Sequence, residues 1–341
     1  MSVSAMARET AEAPAVVDRM LAANRQAFGA LASLFERRQP SHVITCARGS
    51  SDHAASYLKY LLEIHAGIPC CSIGASVVSI YGARLRLRDA LLVSISQSGR
   101  SPDVIAFQAD ARRAGIPAVA ITNDDSSPLA LASDICLRLC AGPELSVAAT
   151  KTFIASAAIA ARLAAEWSGD RTLQAAVEDL PQVLERSLQI RWPTAEQALA
   201  AASSLYVLGR GPSLPMAQEA ALKLKETSGI HAEGYSPAEV MHGPLELSRP
   251  GFPVLVFSPG DRSRPLALEA VEHLRTSGAM VFVAGPADGE RDALACAPAS
   301  HPHLDPVSMI ATFYGSAERI ARLRGRDPDR PRLLKKVTET R

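Results

Sequence analysis

Six short apolar runs punctuate this chain: Val43-Ile-Thr-Cys46, Ala90-Leu-Leu-Val93, Ile116–Ile121, Leu205–Leu208, Val254-Leu-Val256 and Ala279–Ala284. None alternates cleanly between apolar and polar positions, so each reads as a strand buried on both faces. Between them lie stretches with apolar residues at helical spacing, over 51–65, 101–114, 153–167, 215–228, 264–277 and 307–324. Short buried strands alternating with helices predict an α/β protein with parallel sheets covered on both faces.

The pattern occurs twice. Val43–Ser51, with its Arg48-Gly49 pair, resembles Leu205–Ser213, with Arg210-Gly211, at an offset of 162 (211 − 49). The runs at Leu91–Val93 and Ile116–Ile121 align with Val254–Val256 and Ala279–Ala284 at 163. A duplicated unit predicts two tandem αβα domains. The expected boundaries are a leading helical arm over 1–40, a first domain over 41–167, a helical connector over 168–200 containing Pro181 and Pro193, a second domain over 201–325 and a tail over 326–341.

Composition narrows the function classes. The 341 residues are 48% hydrophobic and 21% charged, an ordinary globular balance. Lys plus Arg (36) nearly equals Asp plus Glu (35), so no overall field recruits nucleic acid or an acidic membrane. The start, Met1–Thr10, lacks a basic segment followed by an apolar one, and the apolar stretch 153–167 is interrupted by Arg162 and Glu166. No signal peptide or membrane span is expected, and the expected location is the cytoplasm. Six cysteines without a CxxC pair read as reduced core thiols, and His301-Pro-His303 is too sparse to imply a metal.

The chemistry begins at Ser94-Ile-Ser-Gln-Ser-Gly-Arg-Ser-Pro102, directly after an apolar strand and before a helix. Hydroxyl and amide donors gathered at a helix N-terminus suit a phosphate. The second half has Ser258-Pro-Gly-Asp-Arg-Ser263 at the equivalent place and lacks the Ser-Gln-Ser cluster, so one phosphate site per chain is expected.

Arg48-Gly-Ser-Ser51, Ser96-Gln-Ser-Gly99, Val147-Ala-Ala-Thr-Lys151, Glu219-Ala-Ala-Leu-Lys223-Leu-Lys-Glu226, Glu239-Val-Met-His242-Gly-Pro244 and Lys335-Lys-Val-Thr338 resemble, in the same order, the tandem sugar-isomerase (SIS) domains of glucosamine-6-phosphate synthases. The resemblance implies that Ser51, Ser96, Gln97, Ser98 and Ser101 bind the sugar phosphate and that Gly49, Ser50, Val147 and Ala149 touch the sugar. It implies that Glu226 moves a proton between C1 and C2, that Lys223 contacts the sugar region, and that His242 opens the pyranose ring from a neighbouring subunit. Lys336, with Lys335 as the alternative, resembles the tail lysine that forms a Schiff base with the ketose. A homodimer with a shared active site follows, and the reaction calls for neither a metal nor an organic cofactor.

Two positions depart from the synthase pattern. Arg48 stands where a cysteine is usual, and Ala149 where a serine is usual. The chain also has only about 40 residues before the first domain, so a glutaminase domain is not expected. Stand-alone SIS proteins with these signatures resemble the isomerase-type glucosamine-6-phosphate deaminases, which implies conversion of glucosamine 6-phosphate to fructose 6-phosphate and ammonia. The alternatives are a deaminase or isomerase for another phosphosugar, such as galactosamine 6-phosphate or a fructosamine-type substrate, and a non-catalytic sugar-phosphate sensor.

Overall fold

The computed structural model describes residues 3–286, 290, 292–334 and 336. It contains two parallel five-stranded sheets. The first holds β1 (His42–Cys46), β2 (Cys70–Ser72), β3 (Ala90–Ile95), β4 (Ala118–Thr122) and β5 (Ile135–Arg138), in spatial order β2-β1-β3-β4-β5. The second holds β6 (Ser204–Gly209), β7 (His231–Tyr235), β8 (Pro253–Phe257), β9 (Met280–Ala284) and β10 (Ala293–Leu294), in order β10-β9-β8-β6-β7. Read from the other edge, the second order repeats the first. The α/β architecture and the duplication are therefore as expected, with helices on the sheet faces.

The six apolar runs are β1, β3, β4, β6, β8 and β9. Every residue of β3, β4 and β8 is buried, which explains why they lack a polar face. The other four strands were not legible as runs: β2 pairs with β1 through only three residues, and β10 has two. Pairing also corrects one alignment. Ile44 lies opposite Leu92 and Tyr206 opposite Val254, so the offset stays at 162 (206 − 44, 254 − 92) through β3 and β8 rather than rising to 163.

The cores repeat the same device. Ile44, Leu92, Ala118 and Ala120 pack against Val104, Phe107 and Ala111 of the helix Pro102–Arg113. In the second sheet, Tyr206, Leu208, Val254 and Val256 pack against Val271 and Leu274 of the helix Arg264–Thr276. Helix Lys151–Ser168 is buried along most of its length, with Arg162 bonded to Glu166 one turn on. No helix among the described residues is long and apolar enough to cross a membrane.

The chain divides into two compact units. The first comprises Ala15–Glu144 and Lys151–Glu178, and the second the residues up to Pro14, Leu145–Thr150 and Asp179–Lys336. The leading residues are thus distributed between them. Helix Arg25–Arg38 belongs to the first, where Phe35 stacks on Trp167 with ring centroids 4.1 Å apart. Helix Ala5–Ala11 belongs to the second, where Ser4 caps it and donates to Glu318 at 2.8 Å while Asp329 accepts from the Ala5 and Met6 amides. Residues 168–200 form three helices, Arg171–Glu178, Leu180–Ser187 and Pro193–Ala201, with each proline in a first turn where its missing N–H costs nothing.

The turn after β3 depends on Gly99. Its φ is +62°, and a Cβ there would lie 2.1 Å from Ser127 Oγ. Gly99→Ala should destabilise the protein by roughly 2–4 kcal/mol from left-handed strain and overpacking together. Thermal unfolding checks this, and a melting temperature unchanged within a degree would show that the turn relaxes.

Candidate functional site

In an open parallel sheet, ligands bind beyond the carboxyl ends of the strands. In the first unit those ends carry the two turns singled out by the sequence. β1 leads through Arg48 and Gly49 into helix Ser50–His65, with Gly49 as its N-cap at φ +56°. β3 leads through Ser96–Gly99 into helix Pro102–Arg113. Ser96 Oγ accepts from the Gly99 amide at 3.2 Å and Ser98 Oγ from the Arg100 amide at 3.3 Å, which fixes the turn. The ordinary role for Ser101 would be to cap the helix. It is the N-cap residue, yet its side chain makes no capping bond. Among the described residues the side chains of Ser51, Gln97 and Ser101 have no hydrogen-bond partner and are half-buried, so their donors remain for a ligand.

Arg48 and Asp103 tie the two turns together. The arginine Nε donates to Asp103 Oδ2 at 2.6 Å, and Nη2 bonds to the same oxygen. Nearby Cys46 is fully buried, and burial first, then Asp103, pushes its thiol up to about 12, so it stays protonated and inert.

The second unit holds the acid–base cluster. Helix Leu214–Lys223 continues directly as a π-helical turn, Leu224–Ser228. Such turns recur at functional sites because they displace side chains from regular helical positions. Lys223 is 1% exposed; its ammonium contacts Glu226 Oε2 and lies 3.5 Å from Glu219 Oε1. Glu219 is fully buried and accepts from the Tyr314 hydroxyl at 3.1 Å. Glu226 is 20% exposed and opens onto a cavity of about 500 Å³, lined also by Leu222, Lys225, Arg326 and Arg332. Gly229, at φ +60°, ends the turn, and Arg324 bonds the Ser228 carbonyl at 2.9 Å. Lys223 and Glu226, both singled out in the sequence, are thus paired. Glu219 and Tyr314 were not singled out, although Glu219 stands one helical turn before Lys223 and could have been. Tyr314 carries no local signal, being 95 residues from its partner.

The remaining expected residues fall as follows. Val147 and Ala149 are half-buried in the segment Leu145–Thr150, which belongs to the second unit. Glu9 holds this segment by accepting from the Leu145 and Ser146 amides. Lys336 Nζ donates to the Ser146 carbonyl at 2.6 Å, which brings the tail lysine to the Val-Ala-Ala-Thr motif. Lys335 lies outside the described residues. His242 is exposed in the turn after helix Pro237–Val240, and among the described residues no hydrogen bond or ion pair joins its ring to Glu226. Ser50 opens its helix and is half-buried. A further cleft in the first unit, lined by Arg38, Arg112, Gly115 and Asp134, sits at the opposite ends of the strands and contains none of these residues.

The SIS domain model matches residues 37–165 and 198–288. The isomerizing glutamine–fructose-6-phosphate aminotransferases of Aeropyrum pernix and Halobacterium salinarum are 35% and 36% identical over 308 and 313 residues. These alignments cover 85% and 87% of this chain but 49% and 51% of theirs, so the chain spans about half the length of these curated relatives. A solved protein of Silicibacter pomeroyi, provisionally described as a phosphosugar isomerase, is 45% identical with a TM-score of 0.91, covering 96% of this chain and all of its own. The glucosamine-6-phosphate deaminase of Thermotoga maritima shares the fold at 22% identity, with a TM-score of 0.79 over 99% of this chain and 100% of its own. Duplicated parallel sheets, their common strand order and the matches to both halves establish that the chain belongs to the SIS domain family.

Proposed function

We propose that this protein is an amino-sugar phosphate isomerase that converts glucosamine 6-phosphate and water to fructose 6-phosphate and ammonia. The observation that carries the reading is the Lys223–Glu226 pair, with the carboxylate opening onto a cavity from a helix whose C-terminal end is held by Arg324. Moving a carbonyl between adjacent carbons needs one base that reaches both, and a carboxylate on a rigid element meets that need. The relatives' names include fructose 6-phosphate, the ketose taken here as product.

In the proposed sequence, the side chains of Ser51, Ser96, Gln97, Ser98 and Ser101 hold the phosphate, and His242 assists ring opening. Glu226 then removes the C2 proton of the open-chain aldose and returns it to C1. The resulting C2 imine is hydrolysed, and its nitrogen leaves as ammonia. Lys223, and Lys336 from the tail, stabilise the charge that develops on oxygen. Free ammonia is mostly ammonium near neutral pH, which favours release of the nitrogen over its uptake from solution.

Incubating the purified protein with glucosamine 6-phosphate should release ammonium and fructose 6-phosphate in equal amounts. A panel containing galactosamine 6-phosphate and glucose 6-phosphate fixes the substrate, and silence on every member would overturn the enzymatic reading in favour of a sensor. Glu226→Gln should lower kcat by about 10²–10⁴-fold, the usual contribution of a general base, while sugar-phosphate affinity stays within about threefold. Ammonia release at the normal rate would remove Glu226 from the mechanism.

The homodimer with a shared site is also proposed. Mixing His242→Ala chains with Glu226→Gln chains should restore partial activity if His242 serves a neighbouring subunit. Confirmed mixed dimers with no recovered activity would mean that each chain uses its own histidine.

A further inference from the structure

Arg48 does more than neutralise an acid. We propose that it is a phosphate-contacting, specificity-determining residue, anchored by Asp103 so that the outer edge of its guanidinium meets the ester group held by the Ser96–Ser101 turn. This rests on the reading of that turn as a phosphate site.

Three observations support the assignment. Arg48 immediately precedes the Gly49-Ser50-Ser51 turn, and Asp103 lies in the first turn of the helix whose N-cap is Ser101. The ion pair therefore fixes the guanidinium at the anion-favouring end of that helix. Exposure is also uneven: Asp103 is 2% exposed, whereas the Arg48 side chain is 47% exposed. The Arg48 side chain therefore reaches solvent while one edge of its guanidinium holds the buried acid. Finally, Nε and Nη2 are both spent on one carboxylate oxygen, and Asp103 Oδ1 is occupied by the Val104 amide at 2.9 Å. Of the five guanidinium N–H groups, those on Nη1 and the second on Nη2 stay available. Among the described residues Nη1 has no acceptor, and this edge has the spacing that matches two phosphate oxygens.

The duplicated half provides an internal control. Arg210 occupies the position equivalent to Arg48, but the helix after β8 has no acid in its first turn, and no ion pair of Arg210 is present among the described residues. The anchored arginine occurs in the half that has the Ser-Gln-Ser turn. Asp103 also has a chemical consequence: unpaired, it would repel a phosphate dianion, and Arg48 converts that repulsion into a neutral pair with donors to spare.

The test separates phosphate contact from structural support. In the double variant Arg48→Ala/Asp103→Asn, both charges go, so no buried carboxylate is left unpaired and the melting temperature should stay close to that of the unmodified protein. Calorimetric titration with inorganic phosphate should nevertheless show affinity lowered about tenfold or more, the scale of a charge-assisted pair of hydrogen bonds. Arg48→Lys, which keeps the charge but not the fork, is the second measurement and stands alone if the double variant misfolds. Its KM for glucosamine 6-phosphate should rise about tenfold with kcat within about threefold. Unchanged phosphate affinity in a folded double variant, or an unchanged KM in Arg48→Lys, overturns the assignment. If the unmodified protein binds no inorganic phosphate and Ser98→Ala leaves the KM unaltered, the phosphate turn itself is refuted and this inference falls with it. If the unmodified protein binds phosphate and only the Arg48 variants are indifferent, the turn survives and Arg48 is structural.

Discussion

A lysine ammonium buried to 1% exposure is the constraint around which the second unit is arranged. Moving such a charge out of water costs several kcal/mol, and only close opposite charge recovers it. Lys223 finds that charge one turn back in Glu219 and one turn on in Glu226. Glu219 is itself buried and needs a donor, which Tyr314 supplies from the helix Asp305–Leu323. The outcome is a chain of dependence in which Glu226, the member open to the cavity, is oriented by groups that cannot move without leaving a buried charge alone. A proton-shuttling carboxylate benefits from that rigidity, because its two target carbons differ in position by little more than a bond length.

The two halves of the duplicated fold differ in side-chain chemistry. Both sheets run parallel in the same strand order, yet among the described residues the first alone combines hydroxyl-rich turns with an arginine tied to a helix N-terminus. The second retains the Arg210-Gly211 turn and devotes Ser213 to the backbone, accepting from the Arg210 amide at 2.9 Å. Its distinctive chemistry moves to the helix beginning at Leu214 and its π-helical extension. One half is suited to holding an anion and the other to transferring a proton. This division explains why a repeat so evident in strand order is so faint in side chains.

How much the sequence revealed follows the range of each interaction. Central strands were legible because burial on both faces forces continuous apolar runs, as in Ala90–Ile95. The helix Ser50–His65 and the Ser-Gln-Ser turn are equally local. The edge strand at Cys70–Ser72, with two of three residues exposed, carries no such signature. The Arg48–Asp103 pair spans 55 residues and the Lys336–Ser146 bond 190, distances at which a single sequence has no periodicity to read. The grouping of Leu145–Thr150 with the second unit was hidden for the same reason, since its anchors are Glu9 and the tail. The one-residue slip in the repeat offset arose because neighbouring Leu and Val positions in β3 and β8 align equally well in either register until pairing with β1 and β6 decides.

In the proposed mechanism one carboxylate carries hydrogen from C2 to C1 of an amino-sugar phosphate. Glucosamine 6-phosphate deuterated at C2 tests it most directly, with the label in early product followed by NMR alongside the rate. Slower turnover with the labelled substrate is expected, with some of the deuterium on C1 of fructose 6-phosphate. An undiminished rate together with solvent hydrogen alone at C1 would contradict it.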